Sequence, residues 1–228
     1  LEPVANLRGA RILKTRQKTQ INQNKIMTKA QERPAFSVFG AKPANALLVP
    51  EIPMAVRNNC QIGKWCIGDT EYGSKCSMTI IKFSKFFGDL GKTSQALWGQ
   101  LWFIAESGEL PQGVVMVTYI KTQSLNDFNR LIISIQSKGI EPATGIFIPT
   151  FTKYVGNNGP YYALTWEWEE RKDYTTLDQA AAVLNNPQVR SNLYDMEGTS
   201  RMVCLDHSSK EEIKALTQSR QALAATAE

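Results

Sequence analysis

The stretch GVVMVTYIKTQSLNDFNRLIISIQSKGIEPATGIFIPTFTKY, Gly113–Tyr154, changes its hydrophobic period twice, and that change decides the fold class. Gly113–Lys121 is a short apolar, β-branched run of strand length. The following LNDFNRLIISIQSK puts Leu125, Phe128, Leu131, Ile132 and Ile135 on one helical face. Ser124 with Asp127 makes a near capping box ahead of it, and Gly139 supplies the stop. Thr144–Tyr154 is again a strand.

Working outward, strands are expected at Gln61–Gly68, Ser77–Lys85 and Gln100–Ala105. Asp69–Lys75 reads as a turn, and Gly88 and Gly91 as interruptions. Downstream, the turn Asn157–Asn158–Gly159 leads into Tyr161–Glu170, where Tyr162, Leu164, Trp166 and Trp168 share one face. The order predicts a mainly β (α+β) domain. It is an OB-like, five- to six-stranded antiparallel barrel with one helix between strands 3 and 4, followed by C-terminal helices. These helices are expected near Leu177–Leu184 and from Ser209 to Ala225, the latter capped by Ser208 with Glu211 or Ser209 with Glu212. The chain then divides into a basic arm at 1–34, a proline-rich linker or edge segment at 35–58, the barrel at 59–172 and a helical extension at 173–228. Pro43, Pro50 and Pro53 keep the linker out of a central strand or helix.

Charge is unevenly spread. The 228 residues carry a net +5, yet residues 1–34 alone hold Arg8, Arg11, Lys14, Arg16, Lys18, Lys25, Lys29 and Arg33 against Glu2 and Glu32. The arm is therefore +6 and the remainder −1. Such an arm suits a polyanion, whose phosphates are neutralised with release of counterions. It is expected to lack a fold of its own, and an arm that clasps a sister subunit would read the same way. No apolar run approaches the ~20 residues that span a bilayer, so no membrane partner is expected. The first stretch, LEPVANLRGARILKTRQKTQ, has no apolar secretory segment and no initiator Met, which leaves open whether residues precede Leu1. Four cysteines are too few for a disulfide scaffold, which makes a reducing cytoplasm the expected location.

Residues Phe86–Thr93, FFGDLGKT, end in the GKT of a phosphate-binding loop, but Phe86 stands where that loop needs its first glycine. What remains is a cation-plus-aromatic cluster, Lys82, Lys85 and Lys92 with Phe86 and Phe87, suited to backbone and base-face contact unless both phenylalanines are core. Cys60, Cys66, Cys76, Cys204 and His207 could supply zinc ligands, but their spacing departs from the paired pattern of a structural site, and no metal or cofactor is assigned. Glu170 and Lys172 resemble the end of a nuclease metal site without its preceding Pro-Asp element, and a solvated strand end is the simpler reading of Glu167–Asp173. No catalytic residue is assigned. Among the aromatics, Trp65, Trp102 and Trp166 are expected in the core, and Tyr161 and Trp168 in solvent as stacking platforms.

WCIGD (Trp65–Asp69), FFGDLGK (Phe86–Lys92) and YYALTWEWEER (Tyr161–Arg171) resemble a family of uncharacterised cyanobacterial proteins, some carried by mobile elements. The resemblance spans Cys60–Arg171, brings no catalytic residues, and implies a bacterial cytoplasmic protein serving plasmid or phage DNA. Taken together, the chain is expected to be a non-enzymatic, sequence-tolerant protein for single-stranded DNA or RNA, and a homo-oligomer. The arm and lysines would track phosphates and the exposed aromatics would stack bases. The end, ALAATAE, departs from the acidic tail of familiar bacterial single-strand-binding proteins. The alternatives are an assembly protein of a phage or mobile element, or a small metal-dependent nuclease.

Overall fold

The computed structural model describes residues 47–50, 53–157, 159–185, 201–206, 208–209 and 211–215, all within the compact unit Asn45–Glu228. The fold is mainly β. In chain order it runs β1 (Met54–Asn59), β2 (Lys64–Ile67), β3 (Thr70–Gly73), β4 (Cys76–Leu90), β5 (Thr93–Gly108) and β6 (Val115–Lys121). Helix α1 (Thr122–Gln136) and a 3-10 turn (Pro142–Thr144) precede β7 (Ile146–Gly156) and β8 (Gly159–Glu169). Helix α2 (Thr175–Leu184) and β9 (Met202–Cys204) follow. Nine strands are described where five or six were expected, and the helix falls between the sixth and seventh in chain order.

The strands form one sheet, ordered β3-β2-β1-β6-β5-β4-β7-β8, with β9 added to β4. All pairs are antiparallel except β1 with β6, so the expected purely antiparallel pattern does not hold. The sheet curls into a half-barrel. Tyr162 at one end donates its backbone N–H to the Cys60 carbonyl at 2.7 Å, and Trp65 of β2 meets Phe151 of β7 edge-on at 5.2 Å. Leu101, Phe103, Met116 and Ile120 face an inner core with Phe128 of α1. Their neighbours Trp102, Ile104, Val115 and Val117 face an outer cluster closed by Ala180 of α2. A strand buried on both faces reads as a continuous apolar run, which is why β5 shows no alternation.

The differences from expectation have local causes. β1 begins directly after Pro53, inside the segment read as linker, because proline is tolerated just outside a strand. β3 occupies most of the expected Asp69–Lys75 turn. Gly88 does not interrupt β4: it pairs with Ala96, and the extra residue of the following bulge falls in β5, where Gln95 takes φ +53°; Gly91, at φ +60°, ends β4 at the hairpin turn. Ser124 caps no helix, since α1 starts at Thr122 and the Ser124 hydroxyl instead accepts the Leu164 N–H at 2.9 Å. The 173–228 segment contributes a strand, β9, as well as helix. For the final helix, described over 211–215, Ser209 and Glu212 form the reciprocal capping box, with bonds of 2.7 and 3.2 Å.

Candidate nucleic-acid interface

The tip of the β7–β8 hairpin carries a tyrosine pair, Tyr154 half-buried and Tyr161 exposed. Register pairs Tyr154 with Tyr161, and their rings stack with centroids 5.8 Å apart and planes inclined by 24°. Tyr161 is 38% exposed and Val155 86%; Lys153 is exposed too, but it pairs with Tyr162 on the opposite face of the hairpin. The β1–β2 turn abuts this hairpin: Gly63, at φ +67°, lies under the Tyr162 ring, and neighbouring Ile62 is 41% exposed. One end of the half-barrel thus offers a stacked tyrosine pair, a lysine and two aliphatic side chains.

The remaining residues expected at the site scatter. Arg8, Arg11, Lys14, Arg16 and Lys18 lie outside the described residues. Lys82 is half-buried, and burial holds its pKa below the ordinary 10.5 despite the nearby Asp206 and Cys204. Lys85 is held by β9 and its continuation: its carbonyl accepts from Leu205 N–H at 2.7 Å and its N–H donates to Asp206 at 2.8 Å. Its ammonium sits 5.9 Å from the Phe83 ring. Lys92 is exposed at the β4–β5 turn. Phe86 and Phe87 are both buried and are not stacking platforms, because β4 runs on through them between β5 and β9. Trp168 is half-buried rather than solvent-facing. Its ring packs over Gly145, where a Cβ would come within 2.1 Å, and its Nε1 donates to the Pro142 carbonyl at 2.9 Å. Trp65, Trp102 and Trp166 are core, and Trp166 Nε1 donates to the Ser124 carbonyl at 3.1 Å.

Sequence reading missed two polar assemblies. Arg171, placed in a solvated strand end, is buried: it donates to Glu106 at 2.7 Å, to the Thr79 hydroxyl and to the Gly145 carbonyl at 3.3 Å. Thr79 in turn donates to Glu106, whose second oxygen accepts from Thr176 of α2 at 3.0 Å. On the same outer face Trp102 donates to Gln100 at 2.9 Å and Gln100 to the Tyr119 hydroxyl at 2.8 Å. Lys121 lies 5.1 Å from the Trp98 ring centroid. No motif marks these residues, because their partners are distant in sequence.

The four cysteines are all free thiols, and burial pushes Cys76 up to about 12. His207 lies outside the described residues. Among the described residues, no three His, Cys, Asp or Glu side chains cluster as metal ligands would, and no helix is long and apolar enough to cross a membrane. Comparison with known proteins gave no match to a family model, a curated protein or a solved structure.

Proposed function

We propose that the chain is a non-enzymatic, OB-like protein for single-stranded nucleic acid, with the β7–β8 hairpin tip as its base-stacking platform and residues 1–34 as its phosphate-tracking arm. The observation that carries this reading is the Tyr154–Tyr161 stack at the hairpin tip, of which Tyr161 is 38% exposed. A flat aromatic face in solvent takes any base, since every base has a π-face. The +6 arm adds the sequence-independent attraction. With the family resemblance, the partner is plasmid or phage nucleic acid in a bacterial cytoplasm.

Fluorescence titration with single-stranded oligonucleotides at two salt concentrations tests this. Tyr161→Ala is expected to weaken binding by ~1–3 kcal/mol at either salt. Deleting residues 1–34 is expected to flatten the salt dependence by ~0.7 in slope for each phosphate-bound cation removed. Unchanged affinity and slope with lost oligomers on sizing would make the arm an assembly element. A parent protein that binds no oligonucleotide at moderate salt ends the reading.

A further inference from the structure

In β8, Tyr162 donates its N–H to the Cys60 carbonyl and Leu164 donates to the Ser124 hydroxyl, so both turn away from β7. Their antiparallel partners Lys153 and Phe151 therefore direct their own peptide groups away from β8. The same alternation covers Phe147, Pro149 and Val155. That second edge of β7 faces β4, where Phe147 pairs with Met78. The register would next set Pro149 against Cys76, but proline has no N–H to give and the ladder stops there. Among the described residues, no group bonds the edge peptides of Phe151, Lys153 or Val155. β7 thus keeps an open edge from Pro149 to Val155.

Where the two strands part, a pocket of about 640 Å³ opens between Lys75 and Cys76 on one side and Ile148, Pro149 and Phe151 on the other. Ile148 and Phe151 give it apolar surface, and its size suits the last side chains of an extended segment laid along β7. Two exposed cations mark the route, Lys153 on the open edge and Lys75 at its pocket end. Neither ammonium has an ion-pair partner among the described residues. The carboxylate in the lining, Glu169, pairs with Ile146, ~17 Å along β7 from Phe151. A second copy of this chain is a poor occupant. Antiparallel pairing of Phe151–Val155 with itself would set Lys153 opposite Lys153, and a lysine on an edge strand opposes such pairing.

We propose that this edge takes up the acidic C-terminal segment of a protein partner as an added antiparallel strand. One carboxylate stands opposite Lys153. Because β7 runs outward from the pocket, the antiparallel guest brings its terminal carboxylate to Lys75. Main-chain bonds supply affinity, and the two lysines with the pocket select the guest. The proposal stands apart from the nucleic-acid reading, since Tyr154 and Tyr161 lie on the other face of the hairpin.

The test is calorimetric titration of the full chain with the acetylated peptide VTDTVTV, its C-terminus free. Laid antiparallel from Val155 to Pro149, it sets its aspartate opposite Lys153. Saturable binding is expected, weakened roughly fivefold or more in VTKTVTV and on amidation of the C-terminus. Lys153→Glu should reverse the preference, so that VTKTVTV binds more tightly than VTDTVTV. Val155→Pro removes an N–H from the open edge and none from the β7–β8 ladder, and should weaken the peptide roughly fivefold. Val155 is 86% exposed, so the melting temperature should stay at the parent value. No saturable binding, or a preference that Lys153→Glu leaves unchanged, overturns the proposal. Equal binding by parent and Val155→Pro also overturns it, because a purely ionic contact needs no strand edge. Oligothymidylate binding that is lost in Lys153→Glu, in a parent that takes no peptide, would give the edge to phosphate instead.

Discussion

Trp166 and Trp168 lie two residues apart on one strand face, yet they are held by different surroundings. Trp166 is 8% exposed, meets Phe128 edge-on at 5.0 Å and bonds to the backbone of α1. Trp166→Ala is expected to cost ~3–5 kcal/mol in urea unfolding. Trp168→Ala also costs stability, ~1–3 kcal/mol, through the lost packing over Gly145 and the lost bond to Pro142. A Trp168→Ala variant that melts with the parent would contradict this. Strand alternation places Trp166 inside, but Gly145 reaches Trp168 only through the folded turn after α1, which no local pattern encodes. Arg171 makes the same point more strongly. Its side chain is 1% exposed, and its partners Thr79 and Glu106 lie 92 and 65 residues away. Glu106→Gln leaves a buried guanidinium without its counter-charge and is expected to cost ~3–5 kcal/mol, read from the unfolding midpoint. Adding Arg171→Met to Glu106→Gln should recover a large part of that loss.

Among the elements, α1 was legible because its apolar residues recur at helical spacing. Its start was not, since Ser124 looks like a cap in sequence while tertiary structure uses its hydroxyl for Leu164. Ser124→Ala therefore strands a buried N–H of β8, and a loss of ~1–3 kcal/mol is expected rather than the fraying of one helix turn. Amide exchange should quicken at Leu164 and not be confined to 122–126. Helix α2 depends on Asp173, whose carboxylate accepts from the Thr175 hydroxyl at 2.7 Å and its N–H at 3.0 Å. Those bonds hold its pKa below the ordinary 3.8. A lowered folded-state pKa gives a stabilisation fully present above the ordinary value and lost as pH falls through the folded one. Thermal melts across pH 2–5 should show a shallower acid decline for Asp173→Asn than for the parent. Because Asp173 is exposed, the difference is small. Strands β4 and β5 were underestimated in length for a related reason. Gly88 looks like a break, yet it remains in β4 because Arg201 and Met202 approach so closely that a Cβ would meet the Arg201 carbonyl at 2.2 Å.

At the scale of the whole molecule, the mainly β class was written in the strand-length runs and the single strong helix. Strand order was not, because the parallel pairing of Met54 with Met116 and the return of β9 to Phe86 join segments with no shared local signal. Of the candidate site, Tyr161 was legible as the first residue of an alternating strand, whereas Phe86 and Phe87 were hidden by partners on both sides. Cys60 lies in the β1–β2 turn, Cys66 in β2, Cys76 at the start of β4 and Cys204 in β9, so incubation with EDTA should leave the melting temperature unchanged. A chelator-induced loss of folding would point to a metal. The place of β9 also bears on how the chain is made. The ribosome must add about 110 further residues after β4 before β9 exists, and at ~5–20 residues per second that takes roughly 6 to 22 s. For that interval the Phe86–Gly88 edge of the nascent sheet is an open template. A chaperone that binds extended apolar segments is expected to find this chain while it is still attached to the ribosome.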